Sequence, residues 1–470
     1  MFAASLALLL GGCAQFTPDG GVSVAQGIAS AELGKETIKI ADETLAASVQ
    51  SRVSKLLKSS LSADAAVQIA LFNNRGLQAS YNELGITEAQ LIQSTLPPRP
   101  RFSIADSIGS GQLYIERQIA VGILSLATLQ ARKEIAADKF KNAQLKAAEA
   151  TLRLAADTRK QYYRVVAAGK QLSYLLQAKN SAETVSELIK KLGESGGMGK
   201  LDQGREHVFY AETVAQIARA MLVQRVEKER LTRLMGLWGK DANFRLASNL
   251  PPLPNKLQTA KDIEALAISK RIDLQQMRGD LDILAKEFGL TQTTRFVTDV
   301  ELSGASSFER GKTATATGLE KDISNRRGVG VSIVIPIYDF GQSKLKESEE
   351  TYMRSANLLA EKAVTVRSEV REAYTAYRGN YDIARHYEAQ ILPLRKIIQD
   401  ESLLQYSGML IDVTTLIADA RARMLSNAAS VDARRDFWLA SVDLKHALIG
   451  GGASNAIPDM KMAISSGAPE

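Results

Sequence analysis

Few residues of this sequence have the types and spacing that catalysis or metal binding requires. The histidines stand alone in charged helical sequence, at His207, His386 and His446, so they offer neither a metal cluster nor a catalytic triad. The segment GESGGMGKL (193–201) resembles a phosphate-binding loop, but Glu194 replaces its first glycine and Leu201 replaces the Ser or Thr after the lysine. We therefore expect no enzyme, no cofactor and no metal site.

The single cysteine has a position that suggests lipid attachment. Cys13 follows a short apolar run from Phe2 to Leu10 and two glycines, which resembles a lipoprotein signal peptide. In such a signal the cysteine becomes the acylated N-terminus, whereas the alternative is a buried free thiol. We expect a signal peptide at 1–12 and a lipid anchor on Cys13. One cysteine leaves no partner for an internal disulfide.

The composition indicates a folded protein without a nucleic-acid partner. The chain has 470 residues, of which 45% are hydrophobic and 24% charged. Its net charge of +7 comes from 59 basic and 52 acidic residues that are spread along the sequence without an aromatic-interleaved basic patch. No window has the roughly 18 consecutive apolar residues of a transmembrane helix.

Two long segments have the apolar spacing of helices. From about 123 to 192, apolar residues recur three and four positions apart, which predicts a long helix with a coiled-coil seam at Leu145, Ala148, Leu152, Ala155 and Tyr162. A second helix is predicted from 343 to 406, interrupted near Pro393. Each long helix meets a glycine-containing break, at 193–205 and 407–421, and returns as another helix. We therefore expect two helical hairpins.

The segment GVGVSIVIPIYDFGQ (328–342) has the alternation of a β-strand. Its apolar positions are Val329, Val331, Ile333, Ile335 and Ile337, a pattern shared by membrane barrel strands and by strands of a soluble sandwich. Leu113, Ile115 and Ile119 alternate in the same way, as do Phe296, Val300 and Leu302. We expect strand pairs at about 101–120 and about 294–338, with the polar stretch 304–327 as a surface loop.

Four strands are too few to close a barrel. An open sheet edge is not tolerated in lipid, because its unpaired backbone groups find no hydrogen-bond partner there. Several copies of the chain would therefore share one barrel. Two copies give eight strands with a filled interior, and three give twelve strands with room for a conduit.

The sequence also repeats, since residues 62–91 have a counterpart at 259–290 and the proline-rich stretch 249–255 separates the halves. We divide the chain into an N-terminal segment at 13–61, a first repeat at 62–255, a second repeat at 256–450 and a flexible tail at 451–470. The hairpin tips lie at 193–205 in the first repeat and 407–421 in the second.

Together with this repeat, three motifs resemble the TolC-type outer membrane efflux proteins, or outer membrane factors. These are PIYDFG (336–341), YSGMLIDVTTLIADAR (406–421) and GMGKLDQGR (197–205), and the resemblance covers about 62–450. It implies a mainly α fold with a small β part, in which long coiled helices form a trimeric α-barrel. Four strands per chain complete a shared twelve-stranded outer-membrane β-barrel.

The resemblance implies a homotrimeric, lipid-anchored outer-membrane channel of a Gram-negative bacterium, with a long periplasmic portion that includes the N-terminal segment at 13–61. Such a channel belongs to a tripartite efflux or type I secretion system and conducts substrates passively from the periplasm to the exterior. Its partners are a periplasmic adaptor (membrane fusion protein), an inner-membrane transporter and outer-membrane lipid. The alternative is a lipid-anchored periplasmic coiled-coil scaffold or adaptor without a pore.

In that family the hairpins form the periplasmic tip, where the adaptor docks and the tube closes. The corresponding residues here are Gly197, Met198, Gly199, Leu201, Asp202, Gly408, Met409, Leu410 and Ile411. Glycine allows a close turn, and exposed Met and Leu supply adaptable apolar contact. Threefold symmetry makes any inward carboxylate a ring of three that favours cations. The gate candidates are Asp412, Asp419, Asp202 and Glu206, each of which is otherwise a solvated or helix-capping carboxylate.

Overall fold

A computed structural model describes residues 16–109, 112–196, 199–259, 261–315 and 318–451. Its helices are α1 (Ser23–Leu33), α2 (Glu43–Leu57), α3 (Ala63–Asn73), α4 (Arg75–Thr95), α5 (Ile123–Ala127), α6 (Leu129–Glu194), α7 (Lys200–Leu234), α8 (Ile263–Lys270), α9 (Ile272–Thr294), α10 (Gln342–His386), α11 (Leu392–Ser407) and α12 (Val413–Ile449). Its strands are β1 (Arg101–Gly109), β2 (Gln112–Gly122), β3 (Asp299–Thr315) and β4 (Gly318–Val334). The predicted mainly α fold with long helices and four strands is confirmed.

Both predicted long helices are present. α6 has 66 residues, and its seam is buried at Ala148, Leu152, Ala155 and Tyr162. The second runs through α10, a π turn at Tyr387–Ile391 and α11, which have 45, 5 and 16 residues and so match α6 in length. The interruption predicted near Pro393 is confirmed, because proline has no amide to donate to the preceding turn and a wider π turn stands there. No helix among the described residues is both long and apolar enough to cross a membrane.

The two halves of the chain repeat the same order of elements. A short helix ends in a residue with ψ near +120° and a longer helix follows at once, at Asn74 (117°) and at Arg271 (126°). A strand pair, a long helix and a returning helix of 35 or 37 residues come next in each half. The stretch 249–255 between the halves has neither helix nor strand, and its carbonyl oxygens accept hydrogen bonds from Tyr381 (3.1 Å) and Trp438 (3.0 Å).

The chain divides into two compact units, and the helical unit holds residues 23–81, 147–273 and 363–451. Its core includes a run of aromatic rings, since Trp438 contacts Tyr163 and Phe437 at centroid distances of 5.5 and 5.2 Å. Such pairs contribute about 0.5–1.5 kcal/mol beyond the burial of their apolar area. Further core residues come from α2 and α3, including Val53 and Phe72.

A fully buried arginine joins three elements of the helical unit. The Arg271 guanidinium donates two hydrogen bonds to Asp273, at 3.0 and 2.6 Å, and one to Glu369 of α10 at 2.5 Å. Two carboxylates therefore compensate the desolvated charge. Removing one partner of such a buried pair typically costs about 3–5 kcal/mol, because a buried charge is left uncompensated.

The strand unit holds residues 16–22, 82–146 and 274–362 and contains one antiparallel sheet in the order β1-β2-β3-β4. β1 and β4 are therefore its edges. β3 and β4 have 17 residues each, against nine in β1 and 11 in β2, and residues 312–315 of β3 pair only with β4. The sheet thus ends in a two-stranded ribbon next to the β3–β4 turn.

The strand boundaries correct three expectations. The stretch 304–327 is not a loop, because its described residues continue β3 to Thr315 and resume in β4 at Gly318. Backbone pairing thus extends beyond the part of the strands in which apolar and polar residues alternate. Ile335 and Ile337 lie beyond the end of β4, since Pro336 cannot donate to a ladder. Phe296 precedes the first residue of β3, so it also lies outside the sheet.

Candidate functional site

The sheet has one apolar and one polar face, because side chains alternate along each strand and the register aligns positions of like character. We call apolar face the side that carries Phe102, Ile104, Ile108, Leu113, Ile115, Ile119, Val121, Val300, Leu302, Phe308, Ile323, Val329, Val331 and Ile333. Many of these side chains are exposed, to 75% at Ile104 and 89% at Val329. Across the sheet, the rows from Val300 to Gly304 carry no charged side chain on this face. An exposed apolar surface of this kind marks contact with a membrane or a partner.

The opposite side, which we call the polar face, concentrates negative charge. It carries the carboxylates of Glu116, Asp299, Glu301, Glu309 and Asp322 and only two basic side chains, Arg101 and Arg326. Arg101 pairs with Glu301 at 3.4 Å. None of these carboxylates was among the gate candidates predicted from the sequence, which all lie at the hairpins. Counting charges at alternate positions of the strands would have found it.

A tight turn joins β4 to α10 within the PIYDFG motif. The Asp339 carboxylate accepts hydrogen bonds from the amides of Gly341 (2.9 Å) and Ser343 (3.2 Å), and the bond from Gly341 is the main cause of a lowered pKa at Asp339. Gly341 has a φ of +71°, and a Cβ atom there would lie 2.6 Å from the Arg295 carbonyl oxygen. The glycine of this motif is therefore required by the backbone.

The turn between α11 and α12 holds most of the predicted docking residues that the structure describes. The amides of Met409 and Leu410 donate to the carbonyls of Tyr406 (3.0 Å) and Gln405 (2.9 Å), which is the hydrogen-bond pattern of a Schellman motif. Gly408 has a φ of −82°, whereas Met409 has a φ of +58°. The expectation that glycine permits this turn is thus wrong, because the left-handed residue is Met409.

The side chains of the second turn point to solvent. Met409 is 93% exposed and Leu410 is 77% exposed, while Ile411 is partly buried. A left-handed conformation is costly for a residue with a side chain, and such strain concentrates at functional sites. Exposure and strain together make this turn the best candidate for a docking contact on the helical unit.

The turn between α6 and α7 is related to the second one. Gly196 is its left-handed residue (φ +76°), and Gly199 is the N-cap of α7, three positions later. Met409 and Asp412 have the same separation in the second turn. Leu201 is 68% exposed at the start of α7. Gly197 and Met198 lie outside the described residues, as does Cys13.

The gate candidates have different surroundings. Asp412 is exposed and caps α12, accepting from the Thr415 amide at 2.8 Å and the Thr414 hydroxyl at 2.9 Å. Hydrogen bonds from Thr415, first from its hydroxyl and then from its amide, lower the pKa of Asp412. Asp419 accepts a hydrogen bond from the Ser402 hydroxyl on the facing helix α11. The side chains of Asp202 and Glu206 lie outside the described part of the structure.

The histidines do not converge. His446 is surrounded by the helical unit, where burial and then the charge of Lys160 lower its pKa to about 4. His207 contacts Ser186 at 3.3 Å across the first hairpin, and His386 ends α10. Within the described residues, no group of three or more His, Cys, Asp or Glu side chains is placed to hold a metal ion.

These features define the fold of outer membrane channels. The CmeC outer membrane channel of Campylobacter jejuni has a TM-score of 0.69 and 16% identity, over 83% of this chain and 86% of that chain. The outer membrane protein VceC of Vibrio cholerae gives 0.66 and 15%, over 83% and 97%. The open-state Neisseria gonorrhoeae MtrE outer membrane channel gives 0.64 and 18%, over 82% and 88%. The fold indicated by the TolC-type motifs is confirmed.

The similarity in sequence is low throughout these comparisons. No family model matches the sequence, and no curated protein matches it. The three solved structures are channels or outer membrane proteins rather than enzymes.

Proposed function

We propose that this protein is an outer-membrane channel that conducts substrates passively from the periplasm to the exterior. It acts as a homotrimer in a tripartite efflux or type I secretion system. A periplasmic adaptor docks at the helical turns, and an inner-membrane transporter supplies the energy. The fold shared with the CmeC and MtrE channels supports this proposal.

The four-stranded sheet is the observation that carries it. β1 and β4 are open edges, and the face that carries Ile104 and Val329 is apolar and exposed. In lipid the edges must pair, so β1 of one copy joins β4 of the next. Three copies give twelve strands and a polar lumen, whereas the interior of an eight-stranded barrel is filled by side chains.

A lipid-anchored scaffold or adaptor without a pore is the alternative function. It accounts for the long helical hairpins, but it gives no reason for an apolar sheet face opposite a polar, acidic one. The segregation of these faces favours the channel.

The experiment is a determination of subunit number and conductance on the same detergent-purified sample. We expect native mass spectrometry to give three chains and planar bilayers to show stable ion-conducting steps. Two chains per particle would contradict the twelve-stranded barrel. A particle that stays soluble in buffer after delipidation and forms no pores would establish the scaffold instead.

Docking at the second turn is tested with Gly408→Trp. Gly408 has an ordinary φ, and a Cβ atom there would meet its nearest neighbour at 3.5 Å, so the backbone accepts a side chain. We expect trimers that conduct in bilayers but do not support efflux in the native host. Normal efflux would remove this turn from the docking surface.

Lipid attachment at Cys13 is tested separately, with Cys13→Ala. We expect the substitution to abolish palmitate labelling, while trimer formation persists because the barrel itself holds the protein in the membrane. A variant that still labels would contradict the signal-peptide interpretation.

A further inference from the structure

The seven described basic residues of the sheet are divided unequally between its two faces. Five of them lie on the apolar face, and we call this group the basic belt: Arg117, Arg310, Lys312, Lys321 and Arg327. Among the described strand side chains, the apolar face carries a single carboxylate, that of Asp106. The excess positive charge therefore lies on the face that is otherwise suited to hydrocarbon.

The belt lies in the part of the apolar face nearer the β3–β4 turn, where its residues are interleaved with Ile108, Leu113, Ile115, Phe308 and Ile323. From the end of β4, the apolar face presents Ile333, Val331 and Val329, and Arg327 comes next. Arg117 lies in the same row, because both arginines flank Ser306 in the register. The other three belt residues lie further toward the β3–β4 turn. A charge is costly at the centre of a bilayer and is tolerated near its interface. In the proposed membrane orientation, the row of Arg117 and Arg327 would therefore mark the inner limit of the headgroup layer.

Two belt residues face each other directly. Lys312 and Lys321 are cross-strand partners in the ribbon beyond the end of β2, and both are exposed. Like charges in this position weaken a strand pair. An anion held between the two ammonium groups would remove this repulsion, so binding of an anionic ligand would stabilise the ribbon.

The belt also lacks partners within the described part of the chain. Arg101 on the polar face pairs with Glu301, but no belt side chain lies within ion-pair distance of a described carboxylate. Arginine forms paired hydrogen bonds with phosphate oxygens, and lysine contributes a point charge. The long stems of both lie along apolar surface while the charged ends reach the polar layer.

We propose that the basic belt binds the phosphate groups of anionic lipids in the leaflet on the side of the β3–β4 turn. This proposal rests on the proposed insertion of the sheet into the outer membrane. Phosphate of a lipid is the occupant, rather than free phosphate, because the apolar rows adjoining Arg117 and Arg327 would contact the acyl chains of the same lipid molecule.

The test measures lipid selectivity of the full-length trimer reconstituted into phosphatidylcholine vesicles. Spin-labelled phosphatidylglycerol and phosphatidylcholine report the fraction of lipid whose motion is restricted by the protein. We expect the wild-type protein to prefer phosphatidylglycerol. Replacing Arg310, Lys312 and Lys321 together with Gln should reduce that preference by up to about 100-fold, because each basic side chain near an anionic surface contributes about a fivefold effect.

The matched control replaces Arg101 and Arg326 with Gln, which removes basic residues of the same strands from the polar face. We expect this variant to keep the wild-type preference. An equal loss in both variants, or no loss in the belt variant, would overturn the proposal. Displacement of the labelled lipid by inorganic phosphate alone would also overturn it, because the site would then bind free phosphate.

A single substitution at Lys321 tests whether a phosphate group lies between the two lysines. Lys321→Glu gives Lys312 a carboxylate partner, so it should stabilise the ribbon and lower the lipid preference more than Lys321→Gln does. Equal preferences in the two variants would contradict a phosphate between the lysines.

Bilayer conductance of the same preparations separates this inference from the proposed function. Conducting trimers without a preference for phosphatidylglycerol contradict the belt alone. Trimers that restrict the motion of phosphatidylglycerol but do not conduct would contradict the proposed channel function and leave the lipid-binding proposal intact. If the protein restricts no lipid at all, both the proposed membrane insertion and the lipid-binding proposal are contradicted.

Discussion

Met409 combines a left-handed backbone with an almost fully exposed apolar side chain. A residue with a Cβ atom adopts this conformation at a cost of about 1–2 kcal/mol. The turn is therefore less stable than the same turn with glycine at position 409 would be. The residues of the turn were predictable from the motif, but its left-handed position was not. Propensity favours Gly408, whereas the hydrogen bonds to Gln405 and Tyr406 decide where the chain reverses.

Met409→Gly should stabilise the second turn. We expect the free energy of local opening to rise by about 0.5–1 kcal/mol, since the relief of strain exceeds the entropy that glycine loses. Hydrogen exchange of the amides at 404–416 measures this change. Gly196→Ala is the matched control in the first turn, where nothing crowds a Cβ atom and the φ of +76° alone should lower protection. Reduced protection in Met409→Gly would contradict the strain.

Asp412 makes the same turn sensitive to acid. Because its folded pKa is lowered, its stabilising effect is present above the unfolded value of 3.8 and is lost as the pH falls through the lower folded value. We expect protection of the first turn of α12 to fall over that range. Asp412→Asn should keep the cap and remove the acid sensitivity, whereas Asp412→Ala should lose protection even at neutral pH. Acid sensitivity that survives in Asp412→Asn would assign it to another group.

At the scale of elements, periodicity predicted the long helices and the strand pairs, because a buried helix seam and an apolar strand face each impose a regular spacing. Leu113, Ile115 and Ile119, which alternate with polar residues in the sequence, lie together on the apolar face. The far parts of β3 and β4 could not be found in the same way. Backbone hydrogen bonds continue from Phe308 to Thr315 although the side chains there no longer alternate. Because this two-stranded ribbon is polar, its amino-acid composition is the same as that of a loop, and composition cannot distinguish the two.

The ribbon predicts different outcomes for two insertions. An epitope placed after Thr315, at the β3–β4 turn, should be bound by antibody on intact cells and leave trimers unchanged. The same epitope after Ser306, where β3 pairs with both β2 and β4, should prevent trimer formation because it interrupts both ladders. Normal assembly of the second variant would restore the loop interpretation. If antibody reaches the epitope at the turn only after the outer membrane is permeabilised, the β3–β4 turn lies on the periplasmic side and the predicted topology is wrong.

At the scale of the whole molecule, the proposed trimer multiplies every charge of the polar face by three. Glu309 and Asp322 then become parts of acidic rings that raise the local cation concentration, as rings of carboxylates do in cation channels. We expect cation-selective conductance in planar bilayers. Glu309→Gln combined with Asp322→Asn should shift the reversal potential toward zero, and Asp106→Asn on the apolar face should not.

The hairpin carboxylates give a competing source of selectivity. If Asp412 or Asp419 faces the axis of the trimer, Asp412→Ala or Asp419→Ala should lower cation selectivity and ease block by trivalent cations. An unchanged reversal potential in the sheet variant, together with a shift in Asp419→Ala, would locate the selective ring at the helical turns.

The two turns of each protomer have equal length but different chemistry. One places Gly196 and an uncapped Gly199 where the other places a strained Met409 and a capping Asp412. In the proposed trimer, six turns of equal length would thus alternate around the axis in two chemical types. The turns would recur six times in one revolution about the proposed axis, while each chemical type would recur only three times. A partner ring built from six identical subunits would have to bind two different surfaces in turn, and each subunit would do so with unequal affinity.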